Sequence, residues 1–162
     1  DVTVVSGAAP PAHVDDVPTV QRVLGGLAAY TPRLLGGVLR AQAWAAERND
    51  PEFVAAQYTT DGTDHLPADV LAATRVDFLR ALSGGADGVV RESAQAVREW
   101  PVALRDVAAD VRWLHGRDDA NAPLDAARSV VDALPDATLD VLDTDHLGVV
   151  ADTRDRVLAR HA

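Results

Sequence analysis

Apolar positions along this 162-residue chain change their spacing as the chain proceeds, and each change marks a change of structure. Val2, Thr3, Val4 and Val5 form a short β-branched run closed by Ser6-Gly7, the pattern of a buried parallel strand. Ala8-Ala9-Pro10-Pro11 then interrupts regular structure. From Pro18 to about Trp100 the apolar positions recur at helical spacing. Leu34, Leu35, Val38, Leu39 and Gln42 mark one helix face. Asp50, Pro51 and Glu52 read as an N-cap, a first-turn proline and an acid favoured by the helix dipole. Val70, Leu71, Thr74, Phe78, Leu79 and Leu82 form a second stripe, stopped by Gly84-Gly85.

Beyond Pro101 a strand-like pattern returns. Val111-Arg112-Trp113-Leu114 reads as a strand. Leu124, Ala127, Val130, Val131 and Leu134 line a helix that Pro135 ends. Thr138 to Asp143 alternates like a half-buried edge strand, with Leu139 and Val141 on one side. Val149, Val150, Val157 and Leu158 suggest a closing helix. The order strand, helical insert, strand, helix, strand, helix predicts an α/β protein carrying a helical excursion. Tyr30, Trp44, Phe53 and Tyr58 are expected in the core of that excursion, or lining a pocket there.

The balance of charge narrows the partners. A formal net charge of -10 disfavours nucleic acid and anionic membrane surfaces, both of which attract Lys and Arg. With no cysteine, disulfides and thiolate metal sites are excluded. No 18-residue apolar run offers a membrane span. The chain opens at Asp1 already inside an apparent strand, with no Met and no leader ahead of it, so the expectation is a piece of a longer, cytoplasmic protein. All 15 basic residues are Arg, and only Glu47, Glu52, Glu92 and Glu99 are Glu among the acids. An Asp-rich surface without Lys fits a high-salt cytoplasm, and a GC-rich genome fits it equally well.

Chemistry concentrates late in the chain. Trp113-Leu114-His115-Gly116-Arg117-Asp118-Asp119 runs from a strand into a glycine turn that carries acids. Asp143-Thr144-Asp145-His146-Leu147-Gly148 delivers a histidine after the next strand. Catalytic groups of parallel α/β sheets sit at the carboxyl ends of strands. An Asp and a His delivered there match the orienting and proton-transferring members of a hydrolase triad. The structural alternatives are a turn-forming or capping Asp and a histidine merely occupying a polar turn. His115 is expected to pack beside the site, and His161 to sit against a helix C-terminus. His13 and His65 fall in loop-like segments. Asp61, Asp64, His65 and Asp69 form a solvated cluster without the paired histidines a metal site needs.

In sequence, the chain resembles the C-terminal part of an α/β-hydrolase-fold enzyme. The resemblance rests on the Val2–Pro10 strand and turn, the return segment Glu99-Trp100 with Ala103–Val107, the acid turn Gly116-x-x-Asp119 with Pro123, the lead-in Leu134–Ala137 and the histidine loop Asp145–Leu147. It implies a partial α/β-hydrolase fold: the last three strands of a parallel sheet, flanking helices and a helical cap. The implied division is residues 1–11 as a core strand, 12–100 as cap and 101–162 as the C-terminal core. Carried over, Asp119 becomes the triad acid and His146 the base, acting without cofactor or metal on a small-molecule ester, amide or related carbonyl substrate.

The Gly-x-Ser-x-Gly elbow of that family is missing. Ala81-Leu82-Ser83-Gly84-Gly85 imitates it but continues a helical stripe, and Ser6 lacks the preceding glycine. The nucleophile is therefore expected from a missing N-terminal half. The alternative is a non-catalytic remnant, subunit or pseudoenzyme that binds a ligand or partner through the cap. An unpaired apolar edge at Val2–Val5 also predicts self-association or recruitment of that half. If the acidic surface is a salt adaptation, molar salt should raise the thermal midpoint well above its value in dilute buffer. A midpoint that does not move would favour codon bias.

Overall fold

Valine, tryptophan and leucine at positions 111–114 favour extended backbone that packs on both faces. The strand they form, β2 (Val111–Gly116), is the centre of the sheet. The computed structural model describes residues 1–161. β1 (Val2–Val5) and β3 (Ala137–Leu142) flank β2, both parallel to it, in the order β1-β2-β3. In register, Val4 lies opposite Trp113, Trp113 opposite Leu139, and Gly116 opposite Leu142. β2 is buried along nearly its whole length, holds His115 as expected, and takes in Gly116 as well. β1 is less buried than the run of valines suggests, but its unpaired edge is the one the sequence predicts. It is an edge strand with no outer partner among the described residues, and Val2 is exposed.

The chain divides into two compact units. The first comprises residues 1–16, 58–61 and 99–162, and so holds the sheet, α6 (Leu124–Ala133) and α7 (His146–Arg160). Side chains alternate across a strand. Val111 and Trp113 accordingly share one face of β2, where they pack with Ala127 and Val130 of α6 and with Val4 and Leu139 of the neighbouring strands. α7 packs on β1 and β2. It buries Leu147, Val149 and Thr153, whereas Val150 and Leu158, expected to pack, are exposed. The residues Tyr58–Asp61 sit within the helical stretch in sequence but belong to this unit.

The second unit, residues 17–57 and 62–98, is helical. It contains α1 (Thr19–Tyr30), α2 (Pro32–Ala46), the single turn α3 (Glu52–Ala55), α4 (Ala68–Ser83) and α5 (Asp87–Ala96). Ala28, Leu35, Leu39, Ala86 and Val90 form its core. The buried face of α2 is rotated from the predicted one: Leu35, Gly36 and Leu39 are inside, while Leu34 and Val38 are exposed. Leu35 and Leu39 turn toward Ala28, Ala86 and Val90, with which they form one buried cluster. Tyr30, Trp44 and Phe53 do not belong to the core. They are 87%, 60% and 41% exposed, and the Trp44 ring carries the Arg48 guanidinium 4.3 Å from its centroid. Asp50 is not an N-cap, because α3 starts one residue later than that role requires and has no side-chain cap.

Among the described residues no helix is long and apolar enough to cross a membrane. Trp113 is the largest side chain of the strand unit's core. Truncation of a buried Trp to Ala typically costs about 3–5 kcal/mol, so Trp113→Ala should lower the urea midpoint steeply. A shift equivalent to less than about 1 kcal/mol would mean that α6 does not depend on this contact.

Candidate active site

The site begins at Gly116, the last residue of β2. Backbone from the loop after β3 passes so close that a Cβ at position 116 would lie 2.5 Å from the Thr144 carbonyl oxygen and 2.7 Å from that of Asp145. Only glycine fits. The ladder continues past both strand ends, with the Arg117 N–H donating to Leu142 (2.8 Å) and the Asp118 N–H to Thr144 (3.1 Å). The acid loop and the histidine loop are thereby held as one surface.

Below them, hydrogen bonds fix one imidazole tautomer. The Trp113 indole N–H, which can only donate, meets His115 Nδ1 at 3.1 Å. Nδ1 must therefore accept, and the proton sits on Nε2, which donates to the Ala122 carbonyl at 2.7 Å. His115 is completely buried, and its role is to hold the turn that carries Asp119.

Asp119 closes that turn on itself. Its Oδ1 accepts from the backbone N–H groups of Asn121 (2.9 Å) and Ala122 (2.7 Å). Its Oδ2 lies 2.8 Å from His146 Nδ1. An ionised carboxylate only accepts, so Nδ1 carries the proton and donates. His146 Nε2 is left with its lone pair, on a side chain 26% exposed while that of Asp119 is fully buried. This is the geometry of a general base oriented by a buried acid.

His146 is the first residue of α7, and Asp145 is its N-cap. The Asp145 carboxylate is buried and surrounded by donors. Oδ1 accepts from Gly148 N–H at 3.0 Å. Oδ2 accepts from the Thr59 hydroxyl, from Thr60 N–H at 2.7 Å and from Asp61 N–H at 3.4 Å. Burial opposes its charge, but these four donors outweigh burial and hold the carboxyl below the ordinary aspartate range. The Leu147 N–H donates to the Tyr58 carbonyl at 3.0 Å. The Tyr58 ring stacks on the His146 ring with centroids 6.2 Å apart and planes inclined by 26°. Burial pushes the Tyr58 phenol above its usual value.

The fold has solved counterparts. A thermophilic esterase from Thermogutta terrifontis aligns over 98% of this chain and 53% of its own, with TM-score 0.59 and 18% identity. A 2-hydroxy-6-oxo-6-phenylhexa-2,4-dienoate hydrolase from Rhodococcus sp. aligns over 99% and 54%, with TM-score 0.57 and 20% identity. An esterase from another Rhodococcus strain gives TM-score 0.52 at 18% identity. The fold is that of the α/β-hydrolases. At these identities the likeness is one of fold, and the chain spans about half the length of these α/β-hydrolases. No family profile matches the sequence, and no curated protein sequence is significantly similar to it.

Of the residues that the sequence singles out, Asp119 and His146 come together. Asp118 does not bond His146 and lies exposed on the turn. Ser6 is buried at the end of β1, with a left-handed φ of 45°. Its hydroxyl donates to the His146 carbonyl at 3.2 Å, not to the ring. Ser83 ends α4 and donates to the Arg80 carbonyl at 2.9 Å, so it is no strand-to-helix elbow in this α/β-hydrolase fold. His13 pairs with Ser129 (2.8 Å) and His161 with Thr3 (2.9 Å). Asp61, Asp64 and His65 are exposed, and among the described residues no three His, Asp or Glu groups could hold a metal.

Sequence reasoning missed Asp145 and the Tyr58–Asp61 segment. The spacing Asp145-x-x-Gly148 at a helix start was a legible cap signal; the return of residues 58–61 to the strand unit had none. A carboxylate held below its unfolded pKa stabilises the fold above the unfolded value and loses that contribution as pH falls through the folded one. Asp145→Asn should therefore destabilise the protein at neutral pH and flatten the acid limb of its pH–stability curve. An unchanged acid limb, followed by urea unfolding at stepped pH, would show that the donor cage does not set acid stability.

Proposed function

We propose that this chain is the acid-and-base portion of a Ser-type α/β-hydrolase acting on a small ester, amide or related carbonyl compound. The observation that carries this reading is the 2.8 Å contact between His146 Nδ1 and the buried Asp119 carboxylate, which leaves Nε2 free. In the reaction, Nε2 takes the proton of an attacking hydroxyl as it adds to the substrate carbonyl. Nδ1–H stays on the ring, and Asp119 stabilises the imidazolium that forms. His146 then returns the proton to the leaving group, and water repeats the cycle to release the acid. No cofactor enters these steps.

The nucleophile and the oxyanion donors are assigned to a segment outside these 162 residues, because Ser6 and Ser83 are both committed to backbone carbonyls. The unpaired edge of β1 is where a preceding strand of the same fold would add. The 162-residue chain alone should hydrolyse p-nitrophenyl acetate no faster than a histidine peptide. Joined to its preceding coding segment, it should be active. His146→Ala and Asp119→Asn should each lower that activity by about four orders of magnitude. Activity of the joined protein that survives His146→Ala would overturn the assignment. A well-folded joined protein that binds esters without turnover would favour a non-catalytic binding role instead.

A further inference from the structure

The helical unit contains a cleft of about 460 Å³ between α2 and α5, a volume typical of small-molecule sites. Its lining is not ordinary for a chain of net charge -10. Arg33 and Arg40 reach it from one face of α2, and Arg91 reaches it from α5. None of the three guanidiniums has a hydrogen bond or ion pair among the described residues. Arg112 pairs with Asp140, Arg117 with Asp143 and Arg128 with Asp125, whereas the guanidiniums of Arg80, Arg98 and Arg156, outside the cleft, have no partner among the described residues either. Asp87 is the one acid on the cleft wall, and it pairs with none of the three.

The floor is small and apolar. Ala28 and Val90 are buried there, with Gly36 beside them. The Arg40 guanidinium folds over that glycine, with Nη1 3.6 Å from where a Cβ would stand. Three exposed guanidiniums without a partner among the described residues thus line one partly apolar cleft. Guanidinium forks match the two oxygens of carboxylate or phosphate, and like charges gathered without a counter-ion repel one another. An oxyanion among them would relieve that repulsion while an apolar body filled the cleft.

We propose that this cleft is a binding site for an amphipathic organic anion, with a carboxylate or phosphate head on the arginines and a short apolar chain against Ala28 and Val90. The site lies wholly within the helical unit, so it stands whether or not the hydrolase reading holds.

Titrations of the intact chain with octyl phosphate, octanoate, inorganic phosphate and octanol, followed by calorimetry and amide NMR, test it. One or both amphipathic anions should bind with 1:1 stoichiometry, weakening as salt rises and shifting the Gly36 and Val90 amides. Stronger binding of octyl phosphate than octanoate would specify a phosphate head, and the reverse a carboxylate. Inorganic phosphate should bind more weakly, for want of a tail, and octanol should not bind. Arg40→Gln and Arg91→Gln should each weaken binding about tenfold, as expected for one charge-assisted contact. Arg40→Lys, which keeps charge but not the fork, should recover part of that loss. Arg128→Gln should change nothing. Absence of saturable binding, equal binding of octanol, or full affinity in the Arg40→Gln/Arg91→Gln double variant with unchanged circular dichroism would overturn the proposal.

Discussion

Two buried carboxylates organise the strand unit. Removing an ionised carboxylate from water costs several kcal/mol unless donors replace the lost hydration. Asp119 and Asp145 follow β2 and β3 and have buried side chains, and neither has an arginine partner. Their donors are mostly backbone N–H groups: Asn121 and Ala122 for Asp119, and Gly148, Thr60 and Asp61 for Asp145. Meeting that requirement fixes two loops and the start of α7. It also recruits residues 58–61, distant in sequence, as a third wall. His146 adjoins Asp145 and bonds Asp119, so both carboxylates constrain one ring.

β2 connects this polar layer to the apolar core. Trp113 contributes its ring to the packing against Ala127 and Val130, and its N–H to His115. His115 passes that constraint to Ala122, whose own N–H holds Asp119. The series from core to Asp119 to His146 contains no solvent-exposed step until the His146 ring. Such a series restricts the rotamers of Asp119 and His146 as well as their positions. Gly116 completes it by letting the histidine loop cross the strand end at backbone distance.

Much of this was legible in the sequence because local rules dominate there. The β-branched run Val2–Val5, the strand at 111, the helix ending near Pro135 and the histidine after β3 all follow from period and punctuation. The nearness of Asp119 to His146 was legible because each follows closely on the end of a parallel strand. The misreadings share a different cause. Leu34, Val38, Tyr30, Trp44 and Phe53 are expected inside because they are apolar, but the buried face of α2 is the one that meets Ala28, Ala86 and Val90 of neighbouring helices. The Asp145 cage depends on Tyr58–Asp61 crossing back to the sheet, a tertiary event that no window of sequence contains.

Ser6 clarifies what the site lacks. It stands at a strand end, buried, close to the histidine helix, and it alone among described non-glycine residues takes a positive φ, a conformation costing roughly 1–2 kcal/mol. Those are superficial marks of an activated serine. The hydrogen bonds argue otherwise. Ser6 N–H extends the β1–β2 ladder to Leu114 (2.9 Å), and its hydroxyl ties the end of β1 to the His146 backbone. Gly7 follows because any Cβ there would run into Val4 and Trp113. The left-handed turn therefore steers the chain off the sheet while anchoring α7. Its hydroxyl reaches the backbone of His146 rather than its ring. Among the described residues no hydroxyl is bonded to His146 Nε2, and the ring is exposed on that side.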